Sequence, residues 1–370
     1  MHSAMKVYFI SGIVFCWLSC GSSSQQNNQL AIPKKDTIPA ISGMRTGDTL
    51  SIVAVGDIMF GSNYPDAHLL PPNDGKDLLQ YFTNDIQAAD ISFGNAEGVF
   101  LDKGGVPKGS GEYVYCFRQP TRYAQYFTDN GFDMLSVANN HASDFGSTGT
   151  TSTIATLQSL PILFAGLQNH AVCSTTVRGI KIGMAAFAPH KGCIQLNDYA
   201  AAIASVKKLK SDCDIVIVSM HAGAEGRSAT HVPKHAELFL GQNRGDVYKF
   251  AHAVIDAGAD VVIGHGPHVP RAMELYKNKL IAYSLGNFCT YGMFNLENVS
   301  GIAPLLKIYL TTQGDFIGGQ IRSIKQLGEG GPLPDENHSA YQLIKNLSAT
   351  DFPDSKLRFP DSVSIVRDSL

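Results

Sequence analysis

The chain lacks the features that mark several common classes of protein. It has no excess of positive charge, because 29 Lys and Arg residues stand against 32 Asp and Glu residues and the formal net charge is −3. The sequence therefore shows no excess of basic residues of the kind that binds nucleic acid. Its one tryptophan, Trp17, lies near the N-terminus, and the apolar stretch there, residues 7–18, is too short to cross a bilayer as a helix. These absences favour an α/β enzyme or enzyme-like domain and argue against nucleic acid as a partner.

Cysteine is also scarce. Five cysteines follow the N-terminal segment, and their odd number and the lack of any CxxC spacing argue against a zinc-thiolate site and a dense disulfide framework. They are Cys116, Cys173, Cys193, Cys213 and Cys289. Two alternatives remain open, namely one disulfide between Cys173 and Cys193, or five cysteines that act as small buried hydrophobic residues.

The N-terminal segment has the pattern of a lipoprotein export signal. Lys6 precedes the apolar stretch, and small residues flank Cys20 directly after it. This resembles a bacterial lipobox in which Cys20 is acylated, although Trp17 stands where an aliphatic residue is usual. We expect residues 1–20 to be the signal, residues 21–48 to be a flexible tether, and the protein to be exported and lipid-anchored in the cell envelope, on the periplasmic or cell-surface side. A plain secreted or periplasmic protein is the alternative.

Five hydrophobic runs end beside side chains that bind metal ions. Runs of aliphatic residues bounded by turn signals indicate strands buried on both faces, as in parallel sheets. The runs with their polar ends are residues 52–57, 91–97, 134–141, 215–221 and 261–268. Parallel sheets bind ligands just beyond the carboxyl ends of their strands. The Asp, Glu, Asn and His residues at these ends are therefore predicted to converge on a metal centre.

Helical patterns alternate with these strands, which indicates an α/β architecture. The predicted helices are residues 77–89, 120–130, 149–160, 198–211 and 246–257. Residues 305–310 and 316–324 are predicted to be two antiparallel strands joined near Gly314. We expect one domain over residues 49–325, followed by a C-terminal extension, 326–370, that packs loosely and contains one short helix near residues 341–347.

Six segments, in this order, resemble the CapA family of bacterial capsule-synthesis proteins, the poly-γ-glutamate group within the calcineurin-like metallophosphoesterase fold. They are VGDIMFG (55–61), GNAEG (94–98), ANNHASDFG (138–146), HAGAE (221–225), GADVVIGHGPH (258–268) and YSLGNF (283–288). Together they extend over most of the predicted domain. The resemblance implies a four-layer α/β/β/α sandwich of two mixed sheets flanked by helices.

The resemblance also implies a set of metal ligands. Two carboxylates, Asp57 and Glu97, would offset much of the charge of one or two divalent ions, and four neutral side chains would complete the set: Asn140, His221, His265 and His268. Oxygen and imidazole ligands suit Mn, Fe, Zn or Mg rather than soft copper. In metallophosphoesterases the bound metal lowers the pKa of water and polarises the scissile oxygen.

Asn140 and His141 match the Asn-His pair of these enzymes, in which the Asn is a ligand and the His protonates the leaving group. A structural role for His141, bonded across the turn to Asp144, is the alternative. Further candidates for supporting or substrate-binding roles are Asn95, Asp144, Glu225, Ser284 and Asn287. Glu225 would orient His221 or contact substrate, unless it is a solvated loop residue, and Ser284 and Asn287 would line the site or cap their own turn. Arg118 and Arg122 are candidates to hold a substrate carboxylate or phosphate, with surface solvation as the alternative.

Two departures separate the chain from the general phosphoesterase pattern. The usual Asp-x-His of the first strand is Asp57-Ile58-Met59, so one imidazole ligand is missing. The usual Gly-His-x-His has one extra residue between His265 and His268. Both changes match the CapA family's own form, and they leave open whether one metal or two are bound.

Two classes of function remain. In the first, the protein is an envelope-anchored, metal-dependent hydrolase that acts on a phosphoester or on an amide of a glutamate polymer. In the second, it is an assembly or export component that keeps the fold without turnover. The partners implied are the membrane, through the N-terminal lipid, an anionic polymer or small-molecule substrate, and other capsule-synthesis proteins.

Overall fold

The computed structural model describes residues 49–109, 111 and 114–368. The predicted export signal, Cys20 and the tether lie outside the described residues. Among the helices that are described, none combines the length and the apolar character needed to span a membrane.

The described chain alternates strands and helices. The strands are β1 (Thr49–Met59), β2 (Ile91–Ala96), β3 (Val99–Phe100), β4 (Arg118–Gln119), β5 (Met134–Ser136), β6 (Leu163–Ala165), β7 (Val172–Val177), β8 (Ile180–Phe187), β9 (Ile215–His221), β10 (Leu238–Phe239), β11 (Gln242–Asn243), β12 (Val261–His265), β13 (Met273–Tyr276), β14 (Lys279–Ala282), β15 (Asn287–Thr290), β16 (Ile302–Thr311), β17 (Phe316–Gln326), β18 (Pro332–Pro334), β19 (Leu357–Arg358) and β20 (Ser364–Arg367). The α-helices are α1 (Thr83–Gln87), α2 (Gln125–Asp129), α3 (Gly146–Gln158), α4 (Tyr199–Asp212), α5 (Val247–Asp256) and α6 (Ser339–Asp351). Short 3₁₀ helices span Ala67–Leu69, Pro72–Gly75, Thr121–Ala124 and Asn298–Gly301.

The predicted helices form close to their expected positions, with two changes. Helix α1 covers only the end of the predicted 77–89 stretch, and the predicted 120–130 helix is divided between a 3₁₀ turn and α2. Asp198 and Asp246 are the N-cap residues of α4 and α5, and their carboxylates accept hydrogen bonds from the backbone N–H groups of Ala201 and Lys249. Such N-caps satisfy amide donors that the first helical turn leaves unpaired.

The first large sheet is mixed. Its strands run in the order β19-β20-β17-β16-β1-β2-β5-β6, with β15 also paired to β1 and β18 to β17. β1, β2, β5 and β6 are parallel, whereas β16 is antiparallel to β1. β16 and β17 form the predicted antiparallel pair, which turns around Gly314.

The second large sheet is also mixed, in the order β13-β14-β12-β9-β8-β7. β8, β9, β12 and β14 are parallel, and β7 and β13 add antiparallel edges.

The two sheets enclose one apolar core. Ile52 and Phe93 from the first sheet belong to the same buried cluster as Ile217 and Ile263 from the second. On its other face the second sheet packs Val218 and Val262 against α4 and α5. Helices α1, α2 and α3 add Ile86, Phe127 and Leu157 to the core of the first sheet. This layering confirms the predicted α/β/β/α sandwich.

The C-terminal tail does not pack loosely, so that prediction is wrong. β20 pairs with β17, and Tyr341 and Ile344 of α6 are fully buried. The backbone N–H of Tyr341 donates to Ser323 Oγ at 3.1 Å, and its hydroxyl donates to the carbonyl of Ser364 at 3.1 Å. The helix, longer than expected, places an apolar stripe at helical spacing against the sheet. The tail therefore extends the fold.

The five cysteines in the described part of the chain are all unpaired. Cys173 is half-buried and the other four are buried. Of the two alternatives, the structure supports small buried hydrophobic residues, and the Cys173–Cys193 disulfide is not formed.

Two close backbone approaches bring the strand ends together. A Cβ atom on Gly56 would lie 2.0 Å from the carbonyl oxygen of Gly286, and one on Gly264 would lie 2.0 Å from that of Tyr283. Only glycine allows such contact. The backbone N–H of Asp57 donates to the Gly286 carbonyl at 2.8 Å. The end of β1 is thereby fixed against the turn between β14 and β15.

Candidate metal centre

Side chains from both sheets meet at the carboxyl ends of the parallel strands. Asp57 lies near the end of β1 and Glu97 follows β2 in the first sheet, while His221 and His265 end β9 and β12 in the second. All four are fully buried. Their convergence at one edge is what the strand-end pattern predicts.

Asp57 is at the centre of this group. Its Oδ1 accepts a hydrogen bond from Asn95 Nδ2 at 2.9 Å and lies 3.3 Å from His265 Nδ1. Its Oδ2 lies 3.0 Å from His268 Nδ1. Asn95 Nδ2 also lies 3.4 Å from His221 Nδ1. Asn95 thus connects a carboxylate of one sheet to an imidazole of the other.

Glu97 faces the same space with fewer partners. Its Oε1 lies 3.6 Å from His268 Nε2 and 3.8 Å from His141 Nε2. Neither carboxylate oxygen has a hydrogen-bond partner among the described residues. Ligand atoms of Asp57, Glu97 and His268 all lie within 4.8 Å of one another, which is close enough to hold one ion.

Several buried polar atoms in and around these three residues have no hydrogen bond within the described part of the chain. They are Asp57 Oδ2, both carboxylate oxygens of Glu97, Asn140 Oδ1, His221 Nε2 and both ring nitrogens of His265. Leaving a buried donor or acceptor unpaired costs about 1–3 kcal/mol each, and more for a charged group. Carboxylate, amide and imidazole donors together suit a hard or borderline divalent ion. The residues present therefore fit a divalent metal.

The charges in the centre perturb its titrating groups. Burial raises the pKa of Glu97 well above its usual value; the charge of His268 opposes this, and that of Asp57 adds to it. Burial also acts to raise the pKa of Asp57, but the neighbouring imidazoles of His265 and His268 outweigh it, so the net direction is down. Burial acts to lower the pKa of His268, yet the Glu97 charge and the Asp57 contact raise it to about 10. Burial holds the pKa of His221 well below its usual value.

His141 is held tightly beside the centre. Its Nδ1 lies 2.7 Å from Asp144 Oδ2 and 3.2 Å from Lys108 Nζ, and its ring stacks on Phe117 with centroids 3.9 Å apart. Lys108 Nζ also lies 2.6 Å from Asp144 Oδ1. Burial lowers the pKa of His141, with Asp144 opposing the shift. The predicted bond to Asp144 exists, and it leaves Nε2 directed towards Glu97.

The neighbouring asparagines have different surroundings. Asn140 lines the cavity, and its Oδ1 has no hydrogen-bond partner in the described structure. Asn139 instead donates through Nδ2 to the Ala96 carbonyl at 2.9 Å and accepts from the His141 backbone N–H at 3.1 Å. Asn139 thus supports the turn that carries His141, a role that the strand-end pattern does not predict.

The remaining predicted residues divide between the site and its scaffold. Asn287 donates to the carbonyl of His268 at 3.2 Å and its Oδ1 lies 3.1 Å from His268 Nδ1, so it positions that histidine. Ser284 Oγ donates to the Val269 carbonyl at 2.7 Å and accepts from the Gly286 N–H, which is the turn-capping alternative. Glu225 accepts a 2.6 Å hydrogen bond from Arg244.

The two arginines considered for substrate binding are engaged elsewhere. Arg118 Nε donates to Asn63 Oδ1 at 2.6 Å, and Arg122 forms a two-point contact with Asp74. Neither is among the described residues that line the cavity beside the centre.

This cavity has a volume of about 550 Å³. It brings in residues that the sequence analysis missed, among them Lys108, Phe117, His190, Arg244 and Phe294. His190 follows β8, so the strand-end rule would have found it had β8 been recognised. Lys108 and Arg244 come from loops and carry no comparable signal.

The family model described as bacterial capsule synthesis protein PGA_cap matches residues 51–291. The chain is 26% identical to the capsule biosynthesis protein CapA of Bacillus anthracis over 82% of this chain and 75% of that protein. It is 29% identical to the PGA biosynthesis protein CapA of Bacillus subtilis (strain 168), over 65% of this chain and 63% of that protein.

Solved structures show weaker likeness. A hypothetical protein from Thermus thermophilus matches at 18% identity and a TM-score of 0.43, covering 77% of this chain and 96% of that one. The purple acid phosphatase PPD1 from yellow lupin matches at 12% identity and a TM-score of 0.36, covering 85% and 58%. The sheets and helices described above, rather than these two structures, establish the layered fold.

Proposed function

The chain belongs to the bacterial capsule synthesis protein family PGA_cap, and from that premise we propose that it is a divalent-metal-dependent hydrolase of the cell envelope. The bond it cuts is a phosphoester or a γ-glutamyl amide, and the reaction serves synthesis or processing of a capsule or poly-γ-glutamate polymer. The names of the Bacillus relatives support the polymer context.

The observation that carries this proposal is the group of unpaired buried atoms around Asp57 and Glu97 in the described structure. A protein that used this edge of the sheets only as scaffold would gain stability by pairing those atoms or replacing them with apolar groups. Retaining them is what a metal-binding centre requires. Perturbed titrating groups beside a cavity are also typical of active sites.

Asp57, Glu97, Asn140, His221, His265 and His268 are the residues that would hold the metal, as one ion or two, with Mn, Fe, Zn and Mg as the candidates. When bound, a divalent ion supplies Lewis-acid chemistry that polarises the bond to be cut and lowers the pKa of water. Asn95 and Asn287 orient Asp57 and His268 through the hydrogen bonds described above.

His141 is the proposed proton donor to the leaving group. Asp144 fixes Nδ1 of the ring, so Nε2 is the atom that takes up and delivers the proton. Phe117 stacks on the ring and restricts its rotation. Lys108 forms an ion pair with Asp144 and so holds its carboxylate in place.

The envelope location is proposed from the lipoprotein-like pattern that ends at Cys20. The lipid would keep the catalytic domain at the membrane, where it would meet an anionic polymer or small-molecule substrate and other capsule-synthesis proteins. The tether, residues 21–48, would supply the reach between membrane and domain.

One observation favours the second candidate function, a polymer assembly or export component without turnover. Met59 occupies the position where the phosphoesterase pattern has a histidine ligand, and it is fully buried. A thioether is a poor ligand for hard divalent ions. This removes one imidazole from the centre.

The deciding experiment is elemental analysis of the purified full-length chain combined with an activity screen. The screen uses a phosphomonoester, a phosphodiester and γ-glutamyl substrates with each candidate metal. The hydrolase proposal predicts bound metal and turnover of one substrate class that a chelator abolishes. Bound metal without any turnover would favour the assembly component.

A further inference from the structure

One wall of the cavity carries a buried arginine that has no part in the metal chemistry. β10 and β11 form a hairpin whose two turn residues, Leu240 and Gly241, both have positive φ, as a tight two-residue hairpin turn requires. Arg244 follows the hairpin directly. It lines the cavity, and only 4% of it is exposed.

The guanidinium of Arg244 is only partly satisfied. Nη2 donates to Glu225 Oε1 at 2.6 Å, and Nη1 lies 3.2 Å from His190 Nε2. Nε is buried and has no hydrogen-bond acceptor among the residues that the structure describes. The ring of Phe239 lies 5.2 Å from Cζ and covers one side of the guanidinium. A buried cation with an unpaired N–H has capacity for a further anionic acceptor.

His190 connects this arginine to the metal centre. An arginine N–H can only donate, so His190 Nε2 is the acceptor in its 3.2 Å contact with Arg244 Nη1. The centroid of the same ring lies 6.1 Å from that of His221. Arg244 is thus separated from a candidate metal ligand by one side chain.

A buried ion pair fixes the position of Arg244. Arg271 is fully buried and donates to both carboxylate oxygens of Glu237, at 2.9 and 2.8 Å. The carbonyl of Glu237 accepts from the backbone N–H of Arg244 at 2.8 Å, and the N–H of Glu237 donates to Gly245. The arginine is therefore held by a rigid base, which precise recognition of a ligand requires.

On the basis of the proposed hydrolase, we propose that Arg244 is a specificity residue that binds a carboxylate or phosphate carried by the substrate beside the bond that is cut. Glu225 is the internal acceptor that the substrate anion displaces. The planar fork of a guanidinium matches both anions. A γ-linked glutamate chain carries one free carboxylate on each internal unit, and a phosphodiester polymer carries one phosphate per linkage.

Calorimetric titration of the metal-loaded full-length chain tests this inference. The probes are tri-γ-glutamate, the same peptide with its carboxylates converted to amides, and a diglycerol phosphodiester. Arg244→Gln is expected to weaken binding of the preferred anionic probe by roughly 10- to 100-fold, the usual effect of losing hydrogen bonds to a charged group, and to leave the amide probe unchanged. Which anion responds identifies the substrate class.

Two further variants sharpen the test. Glu225→Gln removes the competing negative charge and leaves only a weaker neutral acceptor, so it is expected to tighten binding of the same probe. Arg227→Gln is the matched control, because Arg227 pairs with Glu297 on the surface and is not one of the described residues that line the cavity. If Arg244→Gln does not fold, Glu225→Gln carries the test alone.

The inference is overturned if Arg244→Gln folds and binds the anionic probes as wild type does, if wild type binds none of them, or if it binds the amide probe equally well. An Arg244-dependent affinity without any hydrolysis would leave anion recognition standing and remove the hydrolase. Hydrolysis with an unchanged KM in Arg244→Gln would leave the hydrolase standing and remove anion recognition by Arg244.

Discussion

His268 Nδ1 lies 3.0 Å from Asp57 Oδ2, although Asp57 belongs to β1 of the first sheet and His268 follows β12 of the second. His268 has a positive φ of 58°, which is uncommon for a residue with a side chain. Strained conformations of this kind cost about 1–3 kcal/mol and persist where the surroundings hold them. Asn287 supplies that support through hydrogen bonds to the carbonyl and the ring of His268.

Replacing Asn287 should therefore weaken the metal centre without removing a ligand. We expect Asn287→Ala to lower metal affinity by about 10- to 100-fold, the usual effect of removing a residue that orients a ligand. Competition with a fluorescent chelator measures the metal affinity of each protein. Asn346→Ala, on the exposed side of α6, is the control. Equal affinity in wild type and Asn287→Ala would show that His268 needs no such support.

Stability in the presence of a chelator should depend on His268. Its pKa is raised from 6.5 to about 10, so its contribution to folding is complete below pH 6.5 and is lost as the pH rises towards 10. The free energy of unfolding should fall over this range by at most about 1.4 kcal/mol per pH unit. Urea unfolding from about pH 6.5 to about pH 9.5, within the range where such a group titrates, measures the slope. If His268→Gln shows the same slope, titrating groups other than His268 cause the pH dependence of the unfolding free energy.

His141→Ala should separate proton transfer from metal binding. We expect the variant to keep its metal and fold but to lose about 100-fold or more in turnover, the usual size of a general-acid effect. The loss should shrink for substrates with good leaving groups, because these need little protonation. Loss of metal comparable to that in His221→Ala would make His141 a ligand. No change in turnover or in polymer production would leave it a structural residue.

Cys20→Ser should release the protein from the membrane fraction, because this one cysteine is proposed to carry the lipid. Fractionation of cells and labelling with a radioactive fatty acid measure the change. If the variant stays with the membranes as wild type does, a different anchor holds the chain.

The strand ends of the site could be predicted from the sequence because each buried run ends beside a polar residue. Asp57, Glu97, His221 and His265 were found in this way. The layered fold followed from the alternation of apolar runs with amphipathic stretches and from the family resemblance. The missing Asp-x-His ligand was also visible in sequence, since Met59 stands in its place.

The rest depended on tertiary contacts. β7 alternates exposed and half-buried residues at a sheet edge, so it has no continuous apolar run. β8 does have a buried apolar run, interrupted by Gly183, so the sequence carries a signal for His190 that the five predicted runs do not include. Lys108 and Arg244 reach the cavity from loops whose positions are set by tertiary contacts, namely Lys108 with Asp144 and Glu237 with Arg271. The polar composition of the tail predicts loose packing, whereas the few apolar residues of α6 and β20 are enough to dock it.

The most direct test of the account is the metal content of wild type, Asp57→Asn and Glu97→Gln, measured by elemental analysis after dialysis and compared with the melting temperature in added metal. Asp256→Asn, which changes an exposed carboxylate paired with Lys277, is the control. We expect at least one divalent ion per wild-type and control chain, a large loss of metal in both site variants, and loss of the stabilisation that added metal gives the folded state. Equal metal content and equal melting temperatures in all four proteins would contradict the existence of the metal centre.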